Sequence, residues 1–490
     1  MTLRRPALLV ALLLIGCDES IENEIIAAAS DDEVDVDRDG DGQVDDDDGG
    51  DLDPDEEADD AGDENFPDNG VPDPVIDRLR DRLEDADITA VPTAPAFEQA
   101  LVDLGQALAF DKILSGNQDI SCMTCHHPTL ASADERSLPI GVGGEGLGMD
   151  REHPDDARIP RNSPALFNLH DIDQMFWDGR VALDPRGRLM TPAGADITAD
   201  MRATLAPTGV VGAQAMFPVT SREEMRGEMG ENELAAISDD DFSGIWEGLM
   251  ERLGDIPEYV ALFEEAYPGE DFEDMTFAHA GNAIGAFVIT AFESSDSPLD
   301  AFLEGNDNAL TAEQIAGGEA FLGPGRCAVC HNGPNLTDQR FHNTGMPQIG
   351  PGVGDGGNGN DDFGREAVSN NPNDRYAFRT TPLRNVALTA PYGHAGQFVD
   401  LGDFTAHYDN PRQAFRTYDE RQLEEVLWGT QVDNENDVFD NLSPLMNGIN
   451  LNGPQIEQIV AFMEAMTDPR AMDMDDLVPA RVPSGLPVAD

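Results

Sequence analysis

Three stretches of the chain carry apolar side chains at helical spacing, and each of them predicts a helix. They span residues 97–108, 311–321 and 454–466. The second stretch opens with Thr311, followed three residues later by glutamine, which is the pattern of a capping box. The segments between the three stretches are long and rich in glycine and proline. The pattern therefore predicts a mostly α-helical protein with long irregular connections.

The first 17 residues have the pattern of an export signal. Arg4 and Arg5 precede an apolar run over 7–15, which is well short of the roughly 20 residues that cross a bilayer. The run leads into Leu-Ile-Gly-Cys at 14–17, which resembles a bacterial lipoprotein signal with a lipidated cysteine. We expect export to the periplasm or cell surface of a bacterium, with a lipid on Cys17 as the only membrane attachment. An ordinary cleaved signal with an incidental cysteine is the alternative.

Residues 18–75 are predicted to form a disordered acidic tether, because they are rich in Asp, Glu, Gly and Pro. Within this tether, residues 37–48 have the spacing of a calcium-binding loop, with Gly42 at the sixth position. The candidate calcium ligands of this loop are Asp37, Asp39, Asp41, Asp45 and Asp48. In so acidic a run the spacing also arises by chance, and both interpretations stay open here.

The chain carries a formal net charge of −68. A surface this acidic repels nucleic acid, so no nucleic-acid partner is expected. The acid extends beyond the tether into the rest of the sequence. Adaptation to a salty environment and docking of a basic partner both explain such a charge.

Two Cys-x-x-Cys-His motifs are the strongest chemical signals in the sequence. They consist of Cys122, Cys125 and His126, and of Cys327, Cys330 and His331. The two thiols of each motif can form thioethers to haem vinyl groups, and the histidine can bind the iron. Cys17 is the remaining cysteine, so no pair is left for a structural disulfide. We predict two covalently bound c-type haems.

Four further stretches resemble the bacterial diheme cytochrome c peroxidases and their MauG-type relatives. They are residues 110–117, 161–168, 176–180 and 383–394. The resemblance implies two cytochrome c-like haem domains, which we place at 76–308 and 309–470, with a tail at 471–490. It implies that peroxide reacts at the N-terminal haem and that the C-terminal haem handles electrons.

The resemblance also implies roles for individual residues. Trp177 matches the tryptophan between the two haems. Glu224 matches the acid/base that cleaves the peroxide bond, and the adjacent Glu223 is its rival. Gln214 and Pro218 match distal-pocket positions of the MauG-type branch.

A calcium site between the haem domains is a further implication of the resemblance. The matching residues are Asn162, Thr389 and Pro391. In the family, the asparagine side chain and two backbone carbonyls bind the cation together with water, as a hard cation prefers. Turn residues without a cation are the other interpretation of these positions.

The family's second haem has its sixth ligand fourteen residues after the position that matches His394. Peroxidases have methionine there, whereas this chain has Tyr408, which is the MauG-type pattern. A phenolate oxygen favours ferric or higher-valent iron. The adjacent His407 is the rival ligand, and Tyr408 as a packing residue is the third possibility.

Many family members carry a histidine that blocks the first haem. The match here is His153, which falls in a glycine-rich insertion over 141–158. We therefore expect the first haem to be five-coordinate and open. The remaining histidines are interpreted as structural or surface residues; they are His127, His170, His279 and His342.

The sequence favours an exported diheme enzyme that reduces hydrogen peroxide and passes the oxidising equivalents to a small redox protein or a protein substrate. The alternative is a non-enzymatic diheme electron-transfer cytochrome, which needs both irons six-coordinate and has no use for Glu224. A calcium-dependent adhesion protein is a third class, and it rests on the acidic tether alone.

Overall fold

The structure, a computed structural model, describes residues 69–488, which are mostly helical as predicted. The fifteen helices of this range are α1 Asp73–Asp85, α2 Gln99–Phe110, α3 Cys122–Cys125, α4 Ala199–Leu205, α5 Gly209–Gln214, α6 Phe242–Gly254, α7 Pro257–Ala266, α8 Phe277–Ala291, α9 Pro298–Leu303, α10 Ala312–Leu322, α11 Glu366–Ser369, α12 Leu401–His407, α13 Pro411–Arg416, α14 Glu435–Asp440 and α15 Gly453–Glu464. The lipidation prediction at Cys17 and the calcium loop at 37–48 lie outside the described residues.

The strands are short and form two small antiparallel sheets. One sheet has the order β1 Gln174–Met175, β2 Val181–Leu183, β3 Leu189–Met190. The other pairs β4 Phe341–His342 with β5 Phe378–Arg379, with Phe341 opposite Arg379. The second pair matters for the site, because β5 carries an arginine that reaches both cavities described below.

The three helices that the apolar spacing predicts are α2, α10 and α15, each with bounds within two residues of the prediction. Helix α10 begins as its sequence indicates. The Thr311 hydroxyl accepts a hydrogen bond from the Gln314 amide at 3.2 Å, and the Gln314 side chain accepts one from the Thr311 amide at 2.9 Å. This capping box satisfies backbone donors that the first turn leaves unpaired.

The chain builds two large hydrophobic cores. Helices α2 and α8 pack in the first core, and α10 and α15 pack in the second. Both crossings depend on a glycine. A Cβ at Gly105 would lie 1.9 Å from the Ala283 carbonyl oxygen, and one at Gly317 would lie 1.9 Å from that of Gln458. Each helix pair can therefore approach closely only because these positions lack a side chain.

We expect Gly105→Ala to destabilise the haem-loaded protein by about 1–3 kcal/mol, because the added methyl group must push α2 away from α8. Gly453→Ala is the matched control, since no atom of the described residues lies within 4 Å of a Cβ built there. Chemical denaturation of both variants gives the two free energies of unfolding. Equal stability of the two variants would contradict this account of the crossing.

The two terminal segments of the described chain each pack in the core that is distant from them in sequence. Helix α1 contributes Ile76, Leu79 and Leu83 to the second core, although the predicted boundaries assign residues 76–308 to the first domain. The predicted tail packs in the opposite direction, with Met474 and Val482 buried in the first core. Helix α1 begins at Asp73, so the last residues of the predicted tether are helical rather than disordered. The division of the chain at 308 and 470 stays a prediction.

None of the helices between residues 69 and 488 is long and apolar enough to cross a membrane.

Candidate haem sites and the wall between them

The first Cys-x-x-Cys-His motif opens onto a cavity of about 470 Å³. The cavity wall brings together predicted residues that are far apart in sequence: Cys122, Cys125, His126, Asn162, Trp177, Gln214, Pro218, Glu223 and Glu224. The motif lies on the short helix α3, which is capped by reciprocal hydrogen bonding between Ser121 and Thr124. Residues of the haem motif and residues predicted for the distal pocket therefore share the wall of one cavity.

The cysteines of both motifs are free thiols in this structure. Burial raises the pKa of Cys122 to about 11 and that of Cys327 to about 12. A redox-active dithiol has a lowered thiol pKa, because its thiolate is the nucleophile. Burial shifts the pKa of both thiols in the opposite direction, which disfavours a disulfide-exchange function for these motifs.

The two motif histidines are oriented in the same way. Nδ1 of His126 lies 3.2 Å from the Ser132 carbonyl oxygen, and Nδ1 of His331 lies 2.9 Å from that of Leu336. A histidine that donates from Nδ1 keeps Nε2 free as a metal ligand. Burial lowers the pKa of His126 to about 4, so its imidazole is neutral, the form that binds iron.

The second motif opens onto a separate cavity of about 210 Å³. Its wall includes Cys327, Cys330 and His331 on one side and Tyr408 on another. Ile459 and Met463 of α15 also line it.

Tyr408 and His407 differ in where their side chains lie. Tyr408 lines the second cavity, whereas His407 does not, and Nε2 of His407 lies 2.9 Å from the Thr344 carbonyl oxygen. Burial raises the pKa of the Tyr408 phenol. The phenol therefore stays protonated until a cation in the cavity favours its anion.

Trp177 lines both cavities. Its indole Nε1 donates a hydrogen bond to the Asn162 carbonyl oxygen at 2.9 Å, and its own carbonyl accepts one from the Arg379 amide at 2.8 Å. The first contact holds the indole ring, and the second holds the backbone of the same residue. Trp177 is therefore part of the wall that separates the two cavities.

A five-residue π-helix, Arg222–Arg226, contributes Glu223, Glu224 and Met225 to the wall of the first cavity. The backbone amide of Glu224 donates a hydrogen bond to the Ser221 hydroxyl. The backbone carbonyl of Glu224 accepts one from the Val142 amide at 3.0 Å. Burial raises the pKa of the Glu224 carboxyl, partly offset by Arg180. Glu224 is half-buried, whereas the neighbouring Glu223 is exposed although it also lines the cavity.

The candidate calcium residues Asn162, Thr389 and Pro391 all line the second cavity. The Asn162 amide donates to the His394 carbonyl oxygen at 2.8 Å, and its side-chain Nδ2 donates to the Arg136 carbonyl oxygen at 2.9 Å. These two bonds hold the asparagine beside the 389–394 segment. Its side-chain oxygen then provides the type of donor that calcium prefers.

The structure places three further residues on the cavity walls. His342, interpreted as structural or surface, lines the second cavity with its Nε2 2.8 Å from Asp338. Arg180 lines the first cavity and Arg379 lines both. His153 does not line the first cavity; its Nδ1 accepts from the Asp155 amide at 3.1 Å. Arg180 ends the 176–180 stretch, whereas none of the matched stretches includes Arg379, whose role depends on its burial in the tertiary structure.

The donor atoms of both cavities fit a c-type haem. Each cavity offers two thiols outside any disulfide and one histidine held through Nδ1, and the second adds a phenol. One group of His, Cys and acidic side chains in the described range could hold another metal, namely Cys330, Asp338 and His342. Its cysteine belongs to a haem motif, so a thioether there would remove the metal-binding thiol.

Comparisons with known proteins identify the family. Residues 99–308 match the family model described as di-haem cytochrome c peroxidase. The cytochrome c551 peroxidase of Pseudomonas aeruginosa is 34% identical over 323 residues, which cover 66% of this chain and 75% of that protein. The methylamine utilization protein MauG of Methylorubrum extorquens is 29% identical over 330 residues, covering 67% and 74%.

Solved structures share the fold. A MauG-like protein associated with microbial copper homeostasis has a TM-score of 0.54 and 23% identity, and the match covers 79% of this chain and 94% of that one. The diheme peroxidase BthA from Burkholderia thailandensis has a TM-score of 0.51 and 19% identity, with 79% and 93% covered.

The chain belongs to the di-haem cytochrome c peroxidase family. It is therefore a haem-dependent oxidoreductase of the peroxidase class that carries two c-type haems. This family membership confirms the predicted class of enzyme and the predicted haems.

Proposed function

We propose that this protein reduces hydrogen peroxide in the first cavity and passes the oxidising equivalents through Trp177 to the second. The observation that carries the proposal is that Trp177 lines both cavities. An indole in the wall between two redox centres gives electrons a path that a saturated side chain does not. Reduction of one peroxide to two waters consumes two electrons and two protons, so both centres and a proton carrier are needed.

The haems would be held by the two cysteine pairs, with His126 and His331 as proximal ligands. When bound, they supply the one-electron redox chemistry that the side chains lack. Tyr408 would complete the second site, and the position of its ring on the cavity wall supports it over His407. His153 lies off the first cavity, which supports an open first site.

Glu224 would carry the proton. Cleavage of the peroxide bond needs a proton taken from one oxygen and delivered to the other, and a carboxylate can do both. The half-buried position and raised pKa of Glu224 bring its proton affinity closer to neutral pH than that of an exposed carboxyl. Gln214 and Pro218 line the same cavity.

The partner that accepts the oxidising equivalents would be a small redox protein or a protein substrate. The names of the relatives point to both kinds: one is a cytochrome c551 peroxidase and another is a methylamine utilization protein. Tyr408 favours the second kind, because a phenolate ligand stabilises oxidised iron. Export, lipid attachment at Cys17, and calcium binding at Asn162, Thr389 and Pro391 are parts of the same proposal.

Adding hydrogen peroxide to the purified haem-loaded protein tests the function. We expect a change in haem absorption within the mixing time, followed by a slow return. The ferric protein should also contain one high-spin haem, since one site is open. A spectrum with both haems low-spin and no response to peroxide would instead select the electron-transfer alternative.

A further inference from the structure

Arg379 has an unusual environment for an arginine. Only 6% of its surface is exposed, and it lies on the wall of both haem cavities. Its Nε donates a hydrogen bond to the Phe176 carbonyl oxygen at 3.2 Å, and its backbone amide donates to Trp177. Nη1 is buried and has no hydrogen-bond partner among residues 69–488.

No carboxylate of the described range pairs with this guanidinium, and burial alone lowers the pKa of Arg379 to about 10. Other arginines with largely buried side chains are paired with carboxylates, as Arg384 and Arg161 are. Arg384 is 2.6 Å from Asp300, and Arg161 is 2.6 Å from both Asp178 and Asp362.

Arg158 and Arg226 also have unpaired nitrogens, but each of them holds a carboxylate, namely Glu424 and Asp239. Arg379 therefore differs from these other buried arginines. A buried, unpaired charge is strongly unfavourable, so an anion is expected to form an ion pair with the Arg379 guanidinium.

The haems themselves bring such anions, because each haem carries two propionate carboxylates. We propose that Arg379 is the propionate-binding residue at the junction of the two cavities, and that its charge acts on both haems. An arginine suits this role because its planar guanidinium can bind carboxylates through several N–H donors. The inference rests on the two-haem function proposed above and adds a residue that no sequence motif indicates.

A second consequence concerns Trp177. The backbone amide and Nε of Arg379 hold the carbonyls of Trp177 and Phe176. The same residue would therefore hold the indole and the haem edges in one arrangement. Arg379 is thus a positioning residue, and its charge has a measurable effect, since a nearby cation opposes the oxidised state of each iron.

The test is a spectroelectrochemical titration of both haems in the haem-loaded protein. We expect Arg379→Gln to lower both midpoint potentials, with each reduction equilibrium shifted on the order of tenfold by the loss of one interior charge. A tenfold shift corresponds to about 59 mV for a one-electron couple. In Arg379→Lys both midpoint potentials should stay close to the wild-type values, because lysine keeps the positive charge.

Arg365→Gln is the matched control. Arg365 also donates to the 176–180 segment, at the Asp178 and Gly179 carbonyl oxygens, but it lines neither cavity. Its replacement should leave both potentials unchanged. Unchanged potentials in Arg379→Gln, or a shift of one haem alone, would overturn the shared role.

If Arg379→Gln takes up no haem, Arg379→Lys decides the matter. Normal haem content and potentials in the lysine variant support the inference, and failure of the lysine variant to take up haem overturns it. Potentials are measured without peroxide, so the result is separate from the proposed peroxidase activity. If the wild-type protein does not react with peroxide, the proposed activity is refuted. The midpoint potentials would still test the role of Arg379.

Discussion

Glu224→Gln should slow the reaction with hydrogen peroxide by about 10²–10⁴-fold, the usual contribution of a general acid–base group. The substitution keeps the size of the side chain and removes only its ability to take up and release a proton. Stopped-flow absorption after mixing with peroxide measures the rate. Glu223→Gln is the matched control, because Glu223 is the exposed neighbour on the same π-helix.

The control also decides between the two carboxylates. If Glu223→Gln reacts slowly with peroxide and Glu224→Gln reacts at the wild-type rate, Glu223 is the residue that carries the proton. If both variants react like the wild type, neither residue carries the proton.

The pH dependence of the same rate gives a further check on Glu224. Burial raises the pKa of this carboxyl above its ordinary value of about 4.3. The base must be deprotonated to accept a proton from peroxide. The rate should therefore be full above the raised pKa and fall as the pH drops through it, and Glu224→Gln should abolish that dependence.

Tyr408→Met should raise the midpoint potential of the second haem by roughly hundreds of millivolts, since axial ligands and their surroundings set haem potentials over about 0.8 V. A thioether favours ferrous iron, whereas a phenolate favours ferric iron. The oxidised state that follows peroxide addition should also be shorter-lived. Spectroelectrochemistry and the decay of the absorption change measure the two effects.

Tyr392→Phe is the control for this substitution, because Tyr392 also lines the second cavity. It should leave the potential near the wild-type value. If the methionine variant has the wild-type potential, Tyr408 is a packing residue and another group completes the site. A large shift of the midpoint potential in Tyr392→Phe would indicate that the assignment of Tyr408 as the ligand is wrong.

The helices and the haem motifs could be predicted because their signals are local. The apolar spacing over 97–108 is produced by the same side chains that face the first core, and α2 forms there. The capping box at Thr311 is likewise contained within four residues. Such patterns need no knowledge of the rest of the fold.

The packing of α1 in the second core and of the tail in the first core could not be predicted from local patterns. Ile76, Leu79 and Leu83 indicate an amphipathic helix, but nothing local says which core it covers. The tail residues Met474 and Val482 are equally uninformative on their own. The choice depends on surfaces that are distant in sequence.

The distal wall shows a mixed outcome. Family resemblance assigns Gln214, Pro218 and Glu224 to the first haem site, and the structure brings them to one cavity. Arg379 was missed because a single arginine in a loop-rich sequence is usually a surface residue. Only its burial between two cavities, without an acidic partner, marks it.

The proposed connection between the two haem sites is Trp177, and Trp177→Phe removes the indole that forms it. Peroxide should still change the first haem in this variant, while the electron paramagnetic resonance signal of the second ferric haem should respond at least tenfold more slowly than in wild type. Trp246→Phe is the control, because Trp246 is buried in the first core and lines neither cavity. A second haem that responds to peroxide at the wild-type rate without the indole would contradict the account.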